Sequence, residues 1–357
     1  MLNGIIFKQA LISGANNIVN HRQEVDALNV FPVPDGDTGT NMSMTISAAA
    51  RELQVCGQTD IASVSAKAAA ALLRGARGNS GVILSLIFRG ISNGFKGMDS
   101  ADGKALAKAL ELGKESAYKA VMKPTEGTIL TVIRMAAEAV KNTQETDCKV
   151  VLKTAYEAAK DALLKTPEML PVLKQAGVVD AGGQGFIFIL EGMLSVIEDG
   201  KTVEPIETLD KKDNAKSDKS VVAAASGDIK FGYCSEFLIN KEKDAQSNAE
   251  ALKAYLESIG DCVVVVEDDD IIKVHVHSNE PGNVIQAALK CGPLTNIKID
   301  NMRFQHRNAE RGTENAKEEI NHSEQAQAPV EPTKDYGFVS VAAGDGFVEL
   351  FKELGAD

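Results

Sequence analysis

Residues 31–42 read FPVPDGDTGTNM: two prolines, two aspartates one residue apart, then a run of glycine and threonine. Pro32 and Pro34 fix their own φ and drive the residues before them toward extended backbone. Gly36 allows a sharp bend between Asp35 and Asp37, and Thr38 or Thr40 can cap a helix expected to begin near Asn41. Both carboxylates are therefore expected to point from a rigid loop toward the positive end of that helix. Hard oxygen ligands so placed suit Mg²⁺, which takes one or two carboxylates and leaves its other positions to water and phosphate. Taken alone, an Asp-Gly-Asp run is more often a solvated turn.

Three further glycine-marked loops surround it in sequence. RGARGNSGVIL (74–84) ends one helical pattern and opens the next through Gly78, Asn79, Ser80 and Gly81. Small residues there let backbone N–H groups approach an anion at a helix N-terminus. KPTEGTILTV (123–132) repeats the device with Thr125 and Thr128, and VVDAGGQGFIF (178–188) repeats it with Asp180, Gly182 and Gly183. One such loop is an ordinary helix–helix turn. Four of them, with an aspartate pair in the first, point to a shared nucleotide site.

The segments between these loops, such as IASVSAKAAAALLRGA and TILTVIRMAAEAVKNT, are rich in Ala, Leu, Lys and Glu with apolar residues at helical spacing. Residues 1–206 read as one all-α domain of about eight helices. A polar stretch at 207–220 reads as a linker. The period then changes. Residues 221–307 give strand, helix, strand, strand, helix, strand, the order of a ferredoxin-like α+β domain. A second polar linker follows at 308–335. Residues 336–357 give one strand, a glycine turn and one helix, too little to bury a core, and read as the opening of a third, α/β domain. The polar linkers are expected to let the domains move independently.

Composition narrows the function classes. With 50 acidic against 38 basic residues the chain carries a net charge of −12, which disfavours nucleic acid as the main partner because counterion release needs clustered Lys and Arg. No membrane span and no signal peptide is read. Five cysteines at irregular spacing do not form a disulfide framework, so a cytoplasmic location is expected.

The fifteen residues LNVFPVPDGDTGTNM (28–42), with GNSG, the DAGG segment, CSEFLI and VHVHSNEPG in order behind them, resemble the ATP-binding subunit of bacterial fatty acid kinases. More broadly, the first domain is similar to the ATP-binding subunit of dihydroxyacetone kinases. The resemblance implies a helical barrel in which acidic residues hold two Mg²⁺ ions against the phosphates of ATP. Asp35 and Asp37 match the second and third metal-binding aspartates of that pattern. Asn29 falls near the first, an amide in place of a carboxylate and one residue out of register. GNSG matches the phosphate loop, and Thr38, Asn41, Thr128 and the DAGG segment match positions around the nucleotide. The implied reaction is transfer of the γ-phosphate to a fatty-acid carboxylate presented by a separate DegV-like carrier protein, giving an acyl phosphate. The resemblance also implies a homodimer. A kinase for a small hydroxy-compound, or an ATP-sensing scaffold without turnover, are the alternatives.

In the second domain, Cys234, His275 and His277 stand out. Residues two apart on a strand share a face, so both imidazoles of HVH project together. Adjacent first and third strands would place Cys234 across from them. A Cys/His/His set with an open fourth position is a zinc arrangement, although two histidines and a cysteine can share a sheet without a metal. The resemblance implies a Zn²⁺ site at these residues. Asp35, Asp37 and His275 are the expected catalytic residues. His306 is a weaker candidate ligand.

Overall fold

The computed structural model describes residues 1–121, 123–206, 230–241 and 248–303. Short polar side chains start most of the long helices in the first region. Asn3 caps α1 (Gly4–Asn20) by accepting the Ile6 N–H. Helix α2 (Arg22–Ala27) follows, and α3 (Thr38–Gln54) opens directly after Asp37. Asp60 caps α4 (Ile61–Gly75), which leads to α5 (Gly78–Gly94), and Asp102 caps α6 (Gly103–Ala120). Thr128 caps α7 (Ile129–Val140) and Asp147 caps α8 (Cys148–Leu164). Two short helices, α9 (Thr166–Met169) and α10 (Pro171–Ala176), each begin with a proline in the first turn, where its missing N–H costs nothing. Asp180 then caps α11 (Ala181–Asp199) through the Gly183 N–H. One β-pair interrupts the helical pattern: β1 (Leu2–Asn3) runs antiparallel to β2 (Ser100–Ala101). Two residues per strand are too few to show alternation in a sequence.

The core of this region is continuous and includes fully buried Phe7, Leu11, Ile18, Met42, Ile46, Phe95 and Phe186. Helix α11 is long and apolar enough to cross a membrane by length and composition, but two-thirds of it is buried inside the protein. It crosses α1 so closely that a Cβ on Gly192 would stand 2.6 Å from the Ser13 carbonyl oxygen. At the crossing of α5 and α6, a Cβ on Gly90 would meet the Leu112 oxygen at 2.1 Å.

The second region has the expected element order. It comprises β3 (Tyr233–Asn240), α12 (Ala249–Ile259), β4 (Gly260–Glu267), β5 (Ile271–Ser278), α13 (Pro281–Ala288) and β6 (Leu294–Asn301). The sheet order is β4-β5-β3-β6, with every neighbouring pair antiparallel. One face carries Phe237, Ile239, Val263, Ile272, Val274 and Val276 against Leu252 and Leu256 of α12 and Val284 of α13. The period of two turns Cys234, Glu236, Lys273, His275 and His277 to the other face.

That second face is covered by the helical region. Leu73, Ala76, Val82 and Leu86 form one buried cluster with Val264 and Val266 of β4, and Ile271 packs against it. Residues 1–309 accordingly form one compact unit. The two regions thus share a core, which corrects the expectation that they move independently: apolar residues of α4, α5 and β4 that each lie at the edge of their own region bury one another. The linkers read at 207–220 and 308–335, the strand and helix read at 336–357, and His306 lie outside the described residues.

Two measurements check this packing. Residues 1–206 alone would expose Leu73, Val82 and Leu86, so that fragment is expected to melt at a lower temperature than the whole chain and to bind an apolar dye; equal melting without dye binding would refute the shared core. Gly90→Val forces side-chain atoms into the Leu112 backbone, and overpacking of this kind costs about 1–3 kcal/mol, to be read as a lowered denaturation midpoint.

Candidate functional site

The loop between α2 and α3 is organised by two residues upstream of it. Asp26 accepts both the Thr40 N–H, at 2.9 Å, and the Thr40 hydroxyl, at 2.8 Å. The cap of α3 is therefore borrowed from α2, and α3 starts at Thr38, three residues before the expected Asn41. Asn29, buried, donates from its amide nitrogen to the Val33 carbonyl and to Asp35 Oδ1, both at 2.8 Å. Its amide oxygen accepts the Thr38 hydroxyl. Since a carbonyl and a carboxylate can only accept, the amide nitrogen must face them. In this arrangement Asn29 orients Asp35 instead of turning its oxygen to the cavity, as a metal ligand would.

Asp35 is the most perturbed group of the loop. Burial first, then the charge and hydrogen bond of Asp37, push its carboxyl up to about 7. Two carboxylates this close resist ionising together, so the pair favours a cation.

The N-terminus of α5 lies beside this loop. Arg77 N–H donates to the Thr45 hydroxyl of α3 at 3.1 Å. Gly78 adopts φ +57°, a left-handed backbone, and a Cβ there would collide with the Asn41 side chain at 2.5 Å. The Gly78 N–H is not open to a ligand, because Glu236 of β3 accepts it at 2.9 Å. The Gly81 N–H donates to the Arg77 carbonyl at 3.0 Å. The first-turn N–H groups of Asn79 and Ser80 remain.

Two neighbouring cavities meet at Asn79 and Ser80. The smaller, about 60 Å³, brings Asp35 and Asp37 together with Cys234, His275 and His277, and is also lined by Asn29, Thr38, Asn41 and Gly78. The larger, about 320 Å³, is lined by Thr128, Asp180 and Gly182 from the helical region and by Asp261, Cys262 and Val264 from β4. Pro32, Asn79 and Ser80 line both. Gly81 and Gly183 line neither, and the Gly183 N–H is taken by Asp180 at 2.7 Å. Burial pushes the Asp180 carboxyl up to about 6, against the hydrogen bonds it accepts from Gly183 and Ile129.

The sheet side of the smaller cavity is set by register. Cys234 pairs with His277, and Glu236 with His275, across β3 and β5. One ligand atom from each of Cys234, His275 and His277 falls within 4.8 Å of the others. Asp261, Cys262 and His277 form a second such group. Burial pushes the Cys234 thiol up, and burial together with the neighbouring His275 holds His277 down at about 3. His275 is 1% exposed, yet neither of its ring nitrogens has a hydrogen-bond partner. A buried imidazole left so is costly, and a soft or borderline metal is the occupant that its lone pair, with a nearby thiol and second imidazole, fits.

Sequence reading missed Asp26, Glu236 and Lys273. For Glu236 a signal existed: it stands two residues from Cys234 on the same strand, so it shares the face that carries the ligand candidates. Burial would push its carboxyl up, but neighbouring His275 and the Lys273 ammonium outweigh that and hold it down at about 2.

Residues 32–195 match the model of the DAK2 domain, and residues 230–309 match that of the middle domain of FakA-like fatty acid kinases. Protein YloV of Bacillus subtilis is 41% identical over 362 residues, covering 99% of this chain and 64% of that protein. An uncharacterized protein of Staphylococcus haemolyticus, SH1689, is 39% identical over 365 residues with the same coverage. The chain thus spans just under two-thirds of the length of these relatives. The crystal structure of dihydroxyacetone kinase from C. freundii in complex with AMP-PNP and Mg²⁺ is similar over 53% of this chain and 33% of that one, at 20% identity and a TM-score of 0.37. With a DAK2 domain joined in sequence to this middle domain, the chain belongs to the FakA-like fatty acid kinase family.

Proposed function

We propose that this chain binds ATP with Mg²⁺ and transfers the γ-phosphate to a fatty-acid carboxylate presented by a separate DegV-like carrier protein, forming an acyl phosphate. The observation that carries the reading is the meeting of the two cavities at Asn79 and Ser80, with the Asp35–Asp37 pair in one and Thr128, Asp180 and Gly182 in the other. The nucleoside occupies the larger recess, between Val121, Ile129 and Leu130 on the helical side and Val263 and Val264 on β4. The phosphates then pass the N-terminus of α5, where the Asn79 and Ser80 N–H groups and the helix dipole favour negative charge. Asp35 and Asp37 would hold Mg²⁺, which supplies charge neutralisation for the transferring phosphoryl group.

The acceptor chemistry asks little of the protein. The bond from the γ-phosphorus to the bridging oxygen of ADP breaks as a bond to a carboxylate oxygen forms. A carboxylate is already ionised at neutral pH, so no proton has to be removed from it and positioning does the work. Cys234, His275 and His277 would hold Zn²⁺ at the wall of the cavity facing the aspartates, with His275 closest to a catalytic role. In this reading the eight long helices form the family's barrel. The sheet region is ferredoxin-like, supported by its strand order and alternating directions. The protein works in the cytoplasm.

Incubating the purified chain with ATP, Mg²⁺ and a lipid-loaded carrier decides the main point. Acyl phosphate formation is the expected outcome; nucleotide binding without ADP release would replace the kinase by a sensing scaffold. Asp35→Ala and Asp37→Ala are each expected to abolish Mg²⁺-dependent nucleotide binding while circular dichroism stays unchanged. Wild-type binding in either would remove the loop from the site. Protein purified without added metal is expected to contain one zinc per chain by elemental analysis, lost in Cys234→Ala and in the double change of His275 and His277 to Ala. Wild-type protein free of stoichiometric transition metal would end the zinc assignment.

A further inference from the structure

Glu236 is 2% exposed, and its two oxygens serve four neighbours. Oε2 accepts the Gly78 N–H at 2.9 Å and lies 3.6 Å from His275 Nδ1. Oε1 lies 3.0 Å from Lys273 Nζ and 3.4 Å from Arg77 Nη1. The Lys273 ammonium also donates to the Ala76 carbonyl at 3.0 Å. Residues 76–78, the turn that delivers α5 to the phosphates, are therefore held from the sheet by three polar contacts. A backbone N–H at a helix start is usually capped by a side chain nearby in sequence. Here the cap comes from 158 residues away.

The same carboxylate stands at the back of the metal ligand His275. A separation of 3.6 Å is too long for a hydrogen bond, so the ring lies near the carboxylate without being fixed by it. Asp261 Oδ1 stands in the same relation to His277 Nδ1, at 3.7 Å. Metal-bound histidines commonly turn their second ring N–H to a carboxylate, which orients the ring and strengthens the ligand. Each histidine thus has a carboxylate beside one nitrogen and leaves the other for a metal shared with Cys234.

We infer that Glu236 is a positioning residue that couples zinc at Cys234, His275 and His277 to nucleotide at the α5 phosphate loop. The inference rests on the metal and nucleotide assignments proposed above. With zinc on the far nitrogen, the His275 N–H becomes a stronger donor and fixes Glu236. A fixed Glu236 holds the Gly78 N–H, and with it the Asn79 and Ser80 N–H groups, in the geometry that receives phosphate. Without zinc, Glu236 keeps its bonds to Lys273 and Gly78 but loses this anchor. Linkage then requires the effect to run both ways, so bound nucleotide retains zinc.

The test titrates a non-hydrolysable ATP analogue with excess Mg²⁺ into the 357-residue chain by calorimetry, in zinc-loaded and zinc-stripped preparations. Stripping zinc from the wild type is expected to weaken analogue binding about tenfold. In Glu236→Gln the two preparations are expected to bind it within about twofold of each other, because the amide cannot replace the carboxylate between His275 and Gly78. Equal affinities for the two wild-type preparations overturn the coupling, as does a Glu236→Gln protein that keeps the tenfold difference. If Glu236→Gln does not fold, the wild-type comparison decides alone. A wild type that takes up no zinc, or binds no analogue when zinc-loaded, overturns the underlying site assignments, and that outcome is distinct from zinc and nucleotide each binding independently.

Discussion

Burying a carboxylate costs several kcal/mol unless charge and donors surround it, and Glu236 meets that condition only because two regions of the chain come together. Its partners are Lys273 from the neighbouring strand and Gly78 and Arg77 from the helical region. Neither region could satisfy it alone. The sheet would present a buried Lys–Glu pair with one open side, and α5 would begin with an uncapped N–H. The apolar cluster of Leu73, Val82, Leu86, Val264 and Val266 supplies the non-directional part of the contact. The carboxylate supplies its direction, since only one placement of the sheet brings Glu236 to Gly78.

That placement determines what the site can be. The face of the sheet turned to the helices carries a thiol, two imidazoles, an ammonium and a carboxylate, a set that would ordinarily be solvated. It is buried because the helical region brings complementary groups: the Ala76 carbonyl for Lys273, the Gly78 N–H for Glu236. The polar atoms left over are the His275 ring nitrogens among the sheet ligands and the crowded carboxylates of Asp35 and Asp37 across the cavity. Both leftovers call for positive charge, one from borderline ligands and one from hard oxygen. Two kinds of cation in one small cavity follow from the chemistry of its two walls.

How much of this was legible in the sequence varied with the range of the interaction. Helix positions followed from apolar period and from caps such as Asp60, Asp102 and Asp180, each bonded within three residues. The loop 31–37 was legible because proline and glycine act on their own backbone. The start of α3 was misread because its cap, Asp26, lies fourteen residues before Thr40, and the local threonines looked sufficient. Alternation in IKVHVH gave the shared face of His275 and His277, and the strand order put Cys234 opposite. No periodicity shows what a polar face will meet, so the packing of that face on α5, and the roles of Glu236 and Lys273, were out of reach. The Gly78 and Gly81 N–H groups were assigned to phosphate for the same reason, since their actual acceptors are a distant side chain and the preceding turn.

The joint lining of both cavities bears on why a kinase of this kind would carry a second region at all. A nucleotide bound only by helix N-termini and two aspartates would lie open to water on its far side, where phosphoryl transfer to solvent competes with transfer to an acceptor. Here β4 closes the larger recess through Val263 and Val264, while β3 and β5 close the smaller one through Cys234 and His275. The remaining opening must admit an acceptor carried on another molecule, so the wall that excludes water also faces the acceptor. A wall anchored through Glu236 to the phosphate loop keeps a fixed distance from the phosphates it screens. Positioning accounts for much of the rate of phosphoryl transfer, and the sheet supplies it on the side that the helices cannot reach.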